Sequence, residues 1–422
     1  MKIYHGNSLN LMRALSMALE LLSVNLSFHH WRVAIIAMAI AEEMKLPYKM
    51  SATLLQASLL HDIGAAPNWN TRVKLRSGKN YEEKKIGQRY ALHAYDGYAC
   101  LKNSHYFGEL AGIILHHHEN WQDTIGKTDV PLQSRILRLA DYVEVHIDPK
   151  KHILLQVRDI TECIKKGNGI LFSPEVVQCF LSVSRTENFW LNITDRAYAD
   201  FFFKKNEAYG MANTYTENDV IDIAETFAAI IDQTSEFTYN HSCSVAKIAV
   251  FLAAKKGFSD NELKDMMVAG LLHDIGKLSI PNEVLEKPGK LSDAEFALIH
   301  QHTYYTYWIL RQIDGFEQIA EWAAYHHECL DGSGYPFHLQ AEALTLGSRI
   351  MAVADIFVAL REDRPYRPGL PQGEILCIIK KMAENFKLDK NLVELLADNY
   401  KTATFLVSGS ETGIDLRKEN II

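Results

Sequence analysis

The second half of this chain repeats the first. His29, in HHWRV, has a counterpart in His241, in HSCSV, and His61-Asp62, in SLLHDIG, in His273-Asp274, in GLLHDIG. His93 pairs with His302, and His117-His118-Glu119 with His326-His327-Glu328. Asp141, closing RILRLAD, pairs with Asp355, closing RIMAVAD. The separation stays at about 210 residues through all five blocks, which marks two copies of one domain. Any fold assigned to one copy must therefore serve the other.

That fold is helical. RVAIIAMAIAEEM (32–44) and SVAKIAVFLAAKKGF (244–258) place apolar residues three and four apart, the period of a helix face. Alternating strand-like runs are rare. The expectation is an all-α protein of two tandem homologous helical domains, at 1–195 and 221–422. The first copy closes with SPEVVQCFLSV near 173–183, a linker follows at 196–220, and the tail SGSETGIDLRKENII loses periodicity. A chain of 422 residues with 48% apolar and 23% charged residues has ample material for two cores.

The net charge of −8 speaks against a polymeric nucleic acid partner, though not against a small nucleotide held in a local basic pocket. The six cysteines show no framework spacing, as expected of free thiols in a reducing compartment. No apolar run is long enough to span a bilayer, and the first residues lack a signal-peptide pattern. A cytoplasmic location with no membrane association is expected.

Each copy carries the same polar set within apolar helices such as VAGLLHD, RIMAVAD and IAEWAAYHHE. Burial drives these imidazole and carboxylate heads inward, where coordination of a cation satisfies them. A single buried histidine is more often a hydrogen-bonded core residue, and a His-Asp pair can be a local salt bridge. Seven such residues recurring in register point instead to metal. In the second copy they are His241, His273, Asp274, His302, His326, His327 and Asp355; in the first, His29, His61, Asp62, His93, His117, His118 and Asp141. Five imidazoles and two carboxylates exceed the needs of one ion, and a carboxylate can bridge two. His146, His152, His300 and His338 have no repeat partner and are read as ordinary surface or core residues.

HDIGK (273–277), HHECLDGSGYP (326–336) and DIFVALREDRPYRP (355–368) together resemble an HD-GYP domain, a branch of the HD-domain metal-dependent phosphohydrolases that degrades cyclic dinucleotides. The resemblance implies one ion on His241, His273, Asp274 and Asp355, and a second on Asp274, His302, His326 and His327, with Asp274 bridging. Iron, manganese or another transition metal suits these donors. It further implies water activated between the cations to attack phosphorus, with Asp274 and Lys277 as catalytic residues. Lys277, Arg364, Arg367, Asp331 and Tyr335 would meet the substrate, and the GYP loop would offer a surface to a signalling protein or a second copy. Glu328 is expected to orient a ligand histidine.

Departures matter. Phe237 stands where some members carry a glutamate for a third metal, so two ions are expected. Val358 replaces an acidic residue of the DxFDAL block, and Thr306 replaces a glycine, which is read as a packing difference.

The first copy resembles the wider HD superfamily. It keeps all seven ligand-type positions but has Ala65 for Lys277, and lacks both the GYP loop and the RPYR arm. Three readings follow: a regulatory or structural domain, a metal site that only stabilises, or a second phosphohydrolase resembling a 5′-nucleotidase that takes the linear product. For the whole chain, the leading expectation is hydrolysis of cyclic di-GMP or cyclic GMP-AMP to the linear dinucleotide. The alternatives are a cyclic-dinucleotide receptor or scaffold of little activity, and a general nucleotide phosphohydrolase.

Overall fold

A computed structural model describes residues 8–21, 28–65, 87–211, 216–233, 240–287, 289–363 and 368–408. Among these residues the secondary structure is helical, broken only by isolated bridges at Asn168–Phe172 and Asp331–Gln340. The chain divides into two compact units, whose described residues fall within 8–211 and 216–408.

The first unit holds α1 (Ser8–Glu20), α2 (His29–Glu43), α3 (Tyr48–Leu60), α4 (Gly87–Leu101), α5 (Gly108–Leu115) and α6 (Leu132–Val145). It continues through α7 (Val157–Gly167), α8 (Pro174–Val183), α9 (Glu187–Thr194), α10 (Arg196–Lys205) and α11 (Glu207–Met211). The second unit comprises α12 (Glu217–Asp232), α13 (His241–Lys255), α14 (Asp260–Leu272), α15 (Asn282–Leu285), α16 (Asp293–Leu310), α17 (Glu317–Ala324) and α18 (Leu346–Arg361). It closes with α19 (Gln372–Glu384), α20 (Lys390–Asp398) and α21 (Tyr400–Ser408).

Each unit is built round one helix apolar on nearly every side. Val33, Ala34, Ile36, Ala37 and Ile40 of α2 are buried, as are Val245, Ala246, Ile248, Ala249 and Leu252 of α13. α2 is enclosed by α3, α6 and α8, and α13 by α14, α18 and α21; a helix without a polar face is stable only when surrounded in this way. Capping boxes at Thr216/Asp219, Ser259/Glu262 and Ser292/Glu295 start α12, α14 and α16, each satisfying backbone N–H groups that the first turn leaves unpaired.

The stretch 196–220, expected as a connector, contains two helices packed into the first unit. Phe203 of α10 meets Trp31 of α2 edge to face at 5.1 Å, Asp200 pairs with Arg13 at 3.0 Å, and Tyr209 of α11 lies 4.9 Å from Tyr48. The apolar face of AYADFFF is the sequence reason. Phe237, Arg364, Arg367 and the tail beyond residue 408 lie outside the described residues.

Candidate metal centres

In both units a residue in left-handed backbone geometry, Phe28 (φ 61°) or Asn240 (φ 72°), precedes the first histidine. The central helix thus begins with its imidazole already inside the core. α3 and α14 end at the His-Asp pair, after which the chain tightens into a 3-10 turn, Ile63–Ala65 or Ile275–Ser279. The glycine of that turn is dictated by close approach. A Cβ on Gly276 would stand 1.9 Å from the backbone oxygen of His302, and one on Gly64 would stand 2.1 Å from that of His93. This contact seats the turn against α16 or α4, the helix supplying the next histidine. Thr306 secures it in the second unit, accepting from Gly276 N at 3.1 Å and donating to the His273 carbonyl at 3.0 Å. The packing role expected of Thr306 thus includes two hydrogen bonds.

The seven predicted residues of the second unit converge around Asp274. Oδ2 of Asp274 lies 3.2 Å from His273 Nε2 and 3.9 Å from His241 Nε2; Oδ1 lies 3.5 Å from His302 Nε2 and 3.9 Å from His326 Nε2. Asp355 Oδ1 is 3.3 Å from His241 Nε2, and its Oδ2 is 3.9 Å from His327 Nδ1. His241, His273 and Asp355 form one group of converging donors, and His302, His326 and His327 another, with one oxygen of Asp274 turned to each.

Hydrogen bonding fixes which nitrogens face the centre. His273, His302 and His326 each donate Nδ1–H to the carbonyl three residues earlier, at 2.8, 2.5 and 2.6 Å. Their Nε2 atoms are then left as lone-pair donors. His302 and His326 turn these lone pairs toward one another at 3.4 Å, an arrangement that a shared cation makes favourable. His273 Nε2 and Asp274 Oδ1 are buried without a hydrogen-bond partner, which is costly unless something else fills the need. The donor set fits a pair of divalent cations.

The first unit matches it. Asp62 Oδ2 lies 3.5 Å from His29 Nε2 and 3.6 Å from His61 Nε2, and Oδ1 lies 3.3 Å from His93 Nε2. Asp141 Oδ1 stands 3.6 Å from His29 Nε2. His93 Nε2 is 3.3 Å from His117 Nε2 and 2.9 Å from His118 Nε2. His61 and His117 again donate Nδ1–H to carbonyls three residues back, at 2.9 and 2.6 Å.

The charges sort into two kinds. Burial alone would hold His241 neutral, but Asp355 and Glu362 outweigh it and push its pKa up to about 10. Burial, aided by His327 and Lys277, lowers His302 to about 3; burial with His93 and His61 does the same to His117. Burial opposes ionisation of Asp274, yet His273 and Lys277 hold its pKa well below the usual range.

Several site residues had no signal in the repeat. Glu362, at the C-terminal end of α18, accepts from His241 Nδ1 at 2.8 Å. Glu144, one turn after Asp141, accepts from His29 Nδ1 at 2.5 Å and pairs with Arg32. Glu144 corresponds in register to Val358, which is buried, so the first unit supplies the orienting carboxylate from within the helix and the second from the residue just past its end. His300 stacks on Tyr335 at 3.7 Å and 10°. The expected role of Glu328 requires correction: its carboxylate accepts from Phe337 N at 2.7 Å and Leu339 N at 3.0 Å, so it braces the DGSGYP loop and orients no imidazole. Lys277 reaches Asp274 Oδ2. Tyr335 lies 4.9 Å from His327, ring to ring, whereas Asp331 accepts from Ser333 within the loop at 2.9 Å.

An HD-domain profile matches residues 225–392, and another matches residues 27–145. The chain belongs to the HD-domain family, with two such domains in tandem. It is 29% identical to a 3′3′-cGAMP-specific phosphodiesterase 1 of Vibrio cholerae, over 90% of this chain and 89% of that protein. It is 30% identical to the 3′3′-cGAMP-specific phosphodiesterase 3 of the same organism, over 84% and 79% respectively. A crystal structure of a cyclic GMP-AMP-specific phosphodiesterase from V. cholerae shares the fold, with a TM-score of 0.63 and 24% identity over 94% of this chain and 98% of that one.

Proposed function

We propose that this chain is a metal-dependent phosphodiesterase that opens a cyclic dinucleotide, 3′3′-cyclic GMP-AMP or cyclic di-GMP, to the linear form, with the reaction in the second unit. The observation that carries this reading is the Asp274 carboxylate, with one oxygen among His241 and His273 and the other among His302 and His326. The two V. cholerae relatives that match both halves of the chain are named for 3′3′-cGAMP, which favours that substrate over cyclic di-GMP.

His241, His273, Asp274 and Asp355 would hold one ion, and Asp274, His302, His326 and His327 the other; mixed imidazole and carboxylate donors suit iron, manganese or another first-row transition metal. Such ions would lower the pKa of water and neutralise phosphate charge. The protein's part is orientation. Carbonyl-anchored Nδ1–H groups hold His273, His302 and His326 in one tautomer, and Glu362 does so for His241. Lys277, paired with Asp274 and partly exposed, is placed to turn its ammonium to a phosphate oxygen. Tyr335, stacked on His300 beside His327, forms an aromatic wall where a base would lie. Arg364 and Arg367 would clamp the phosphates. A cytoplasmic location agrees with this reading, and no helix among the described residues is long and apolar enough to cross a membrane.

For the first unit we propose a metal site on His29, His61, Asp62, His93, His117, His118 and Asp141. Its intact donor set beside Ala65 favours a second phosphohydrolase, one that removes the terminal phosphate of the linear product. Purified protein reconstituted with Mn or Fe should convert 3′3′-cyclic GMP-AMP to a linear dinucleotide, and cyclic di-GMP more slowly. Binding of both without turnover would point instead to a receptor.

A further inference from the structure

The residue after the first histidine differs between the units. In the second unit it is Ser242, whose backbone N and Oγ donate to Asp232 at 3.0 and 2.7 Å. In the first it is His30, and the position of Asp232 is taken by Glu20, which accepts from Phe28 N at 2.9 Å. His30 is fully buried, and neither ring nitrogen has a hydrogen-bond partner. One of those nitrogens must carry a proton, and an unmet buried donor or acceptor is destabilising. A core histidine retained for packing alone would ordinarily be hydrogen-bonded.

Its surroundings give the missing partner. Nε2 of His30 points at Asp62 Oδ2 from 3.7 Å, and Nδ1 points at Glu20 Oε1 from 3.7 Å. The centroids of His29, His30 and His61 form a nearly equilateral triangle with sides of 5.2, 5.1 and 5.2 Å. Donor atoms of His29, His30, His61 and Asp62 all lie within 4.8 Å of one another. The separations His29–His61, His29–Asp62, His61–Asp62 and His30–Asp62 are 3.2, 3.5, 3.6 and 3.7 Å. Neighbouring donors at about 2.1 Å from one ion stand about 3–3.4 Å apart, close to these four separations.

We infer that His30 is a further protein ligand of the first unit's His29/His61/Asp62/Asp141 ion, an imidazole with no counterpart in the second unit. Glu20 Oε1 stands 3.7 Å behind its Nδ1, on the side where Glu144 holds the Nδ1 of His29. Five protein donors leave that ion fewer open positions than its counterpart on His241, His273, Asp274 and Asp355. The nitrogen-rich set favours a borderline transition ion over magnesium or calcium. The two centres of the chain thus differ in how tightly they hold metal. This inference rests on the first unit binding an ion at all.

The test uses full-length protein carrying His273→Ala and Asp274→Ala to silence the second centre. The protein is stripped of metal and titrated with Co(II) and with Zn(II) against a chromophoric chelator. Two changes are added separately: His30→Ser, the residue of the second unit, and His30→Phe, which keeps ring volume without nitrogen. Melting of the metal-free forms reports folding. Both changes should weaken the tightest site at least about tenfold, the lower range for losing even a supporting group, and both should alter the Co(II) absorption bands. Unchanged affinity and bands in both, or affinity restored by phenylalanine, would overturn the inference while leaving metal in the first unit intact. Absence of any Co(II) or Zn(II) binding when His30 is present would overturn the underlying reading as well.

Discussion

His29 and His241 present Nε2 to the centre because Nδ1 is held by a carboxylate, at 2.5 Å from Glu144 and 2.8 Å from Glu362. Such a partner fixes the tautomer and raises the basicity of the ligand nitrogen. Glu362→Gln should therefore lower metal affinity in the second unit about 10- to 100-fold, measured by chelator competition, with the melting temperature of the metal-free protein little altered. Glu144→Gln should act likewise in the first unit, and more severely, since Glu144 is also buried against Arg32. The clustering of these His and Asp residues was legible from the repeat, because both copies keep the same residue types in register. The supporting acids were not, because the orienting carboxylate comes from within the helix in one unit and from just past the helix end in the other. Val358 looked like a lost acid for this reason, while Glu362 stood a turn further on. His30 was hidden differently, since a residue present in only one copy has no partner to reveal it.

The clustered His and Asp residues come partly from helix ends and turns and partly from within helices, and the elements bring them together by close approach. Gly276 packs against the backbone of His302, and Gly64 against that of His93, so the turn bearing Asp274 or Asp62 is locked to the helix bearing the facing histidine. Gly276→Ala forces these apart. Overpacking of this kind typically is destabilising by about 1–3 kcal/mol, and we expect both a lower melting temperature and loss of metal from the second unit, read by calorimetry and elemental analysis. Thr306→Val removes two hydrogen bonds at the same contact and should be destabilising by about 1–3 kcal/mol, since buried groups are left unpaired. The helices were predictable from their periodicity. The connector was misread, because residues 196–211 pack through scattered aromatics such as Phe203 and Tyr209, whose periodicity is weak in so short a segment.

Taken over the molecule, the buried imidazoles pull stability in opposite directions. His117 and His302 are lowered to about 3, and His30 and His327 to about 4. The unfolded chain therefore binds protons these groups refuse, and stability falls as pH drops below about 6.5. His241, raised to about 10, acts the other way: its contribution is complete below about 6.5 and is lost as pH climbs toward 10. His29 and His61 are also raised, their carboxylate partners outweighing burial. Metal-free protein should accordingly be most stable near pH 6.5, with the urea midpoint declining on both sides. A midpoint that rose steadily from pH 6.5 to 10 would contradict this charge assignment.

Division of labour between the two units is the central claim, and one comparison tests it most directly. Wild type, Asp62→Ala and Asp274→Ala are loaded with Mn or Fe and given 3′3′-cyclic GMP-AMP, and the products are resolved by chromatography. We predict no ring opening by Asp274→Ala, and ring opening by Asp62→Ala with a 5′-phosphorylated linear dinucleotide accumulating. Ring opening that survives Asp274→Ala, or is abolished by Asp62→Ala alone, would contradict the assignment of the cyclic substrate to the second unit.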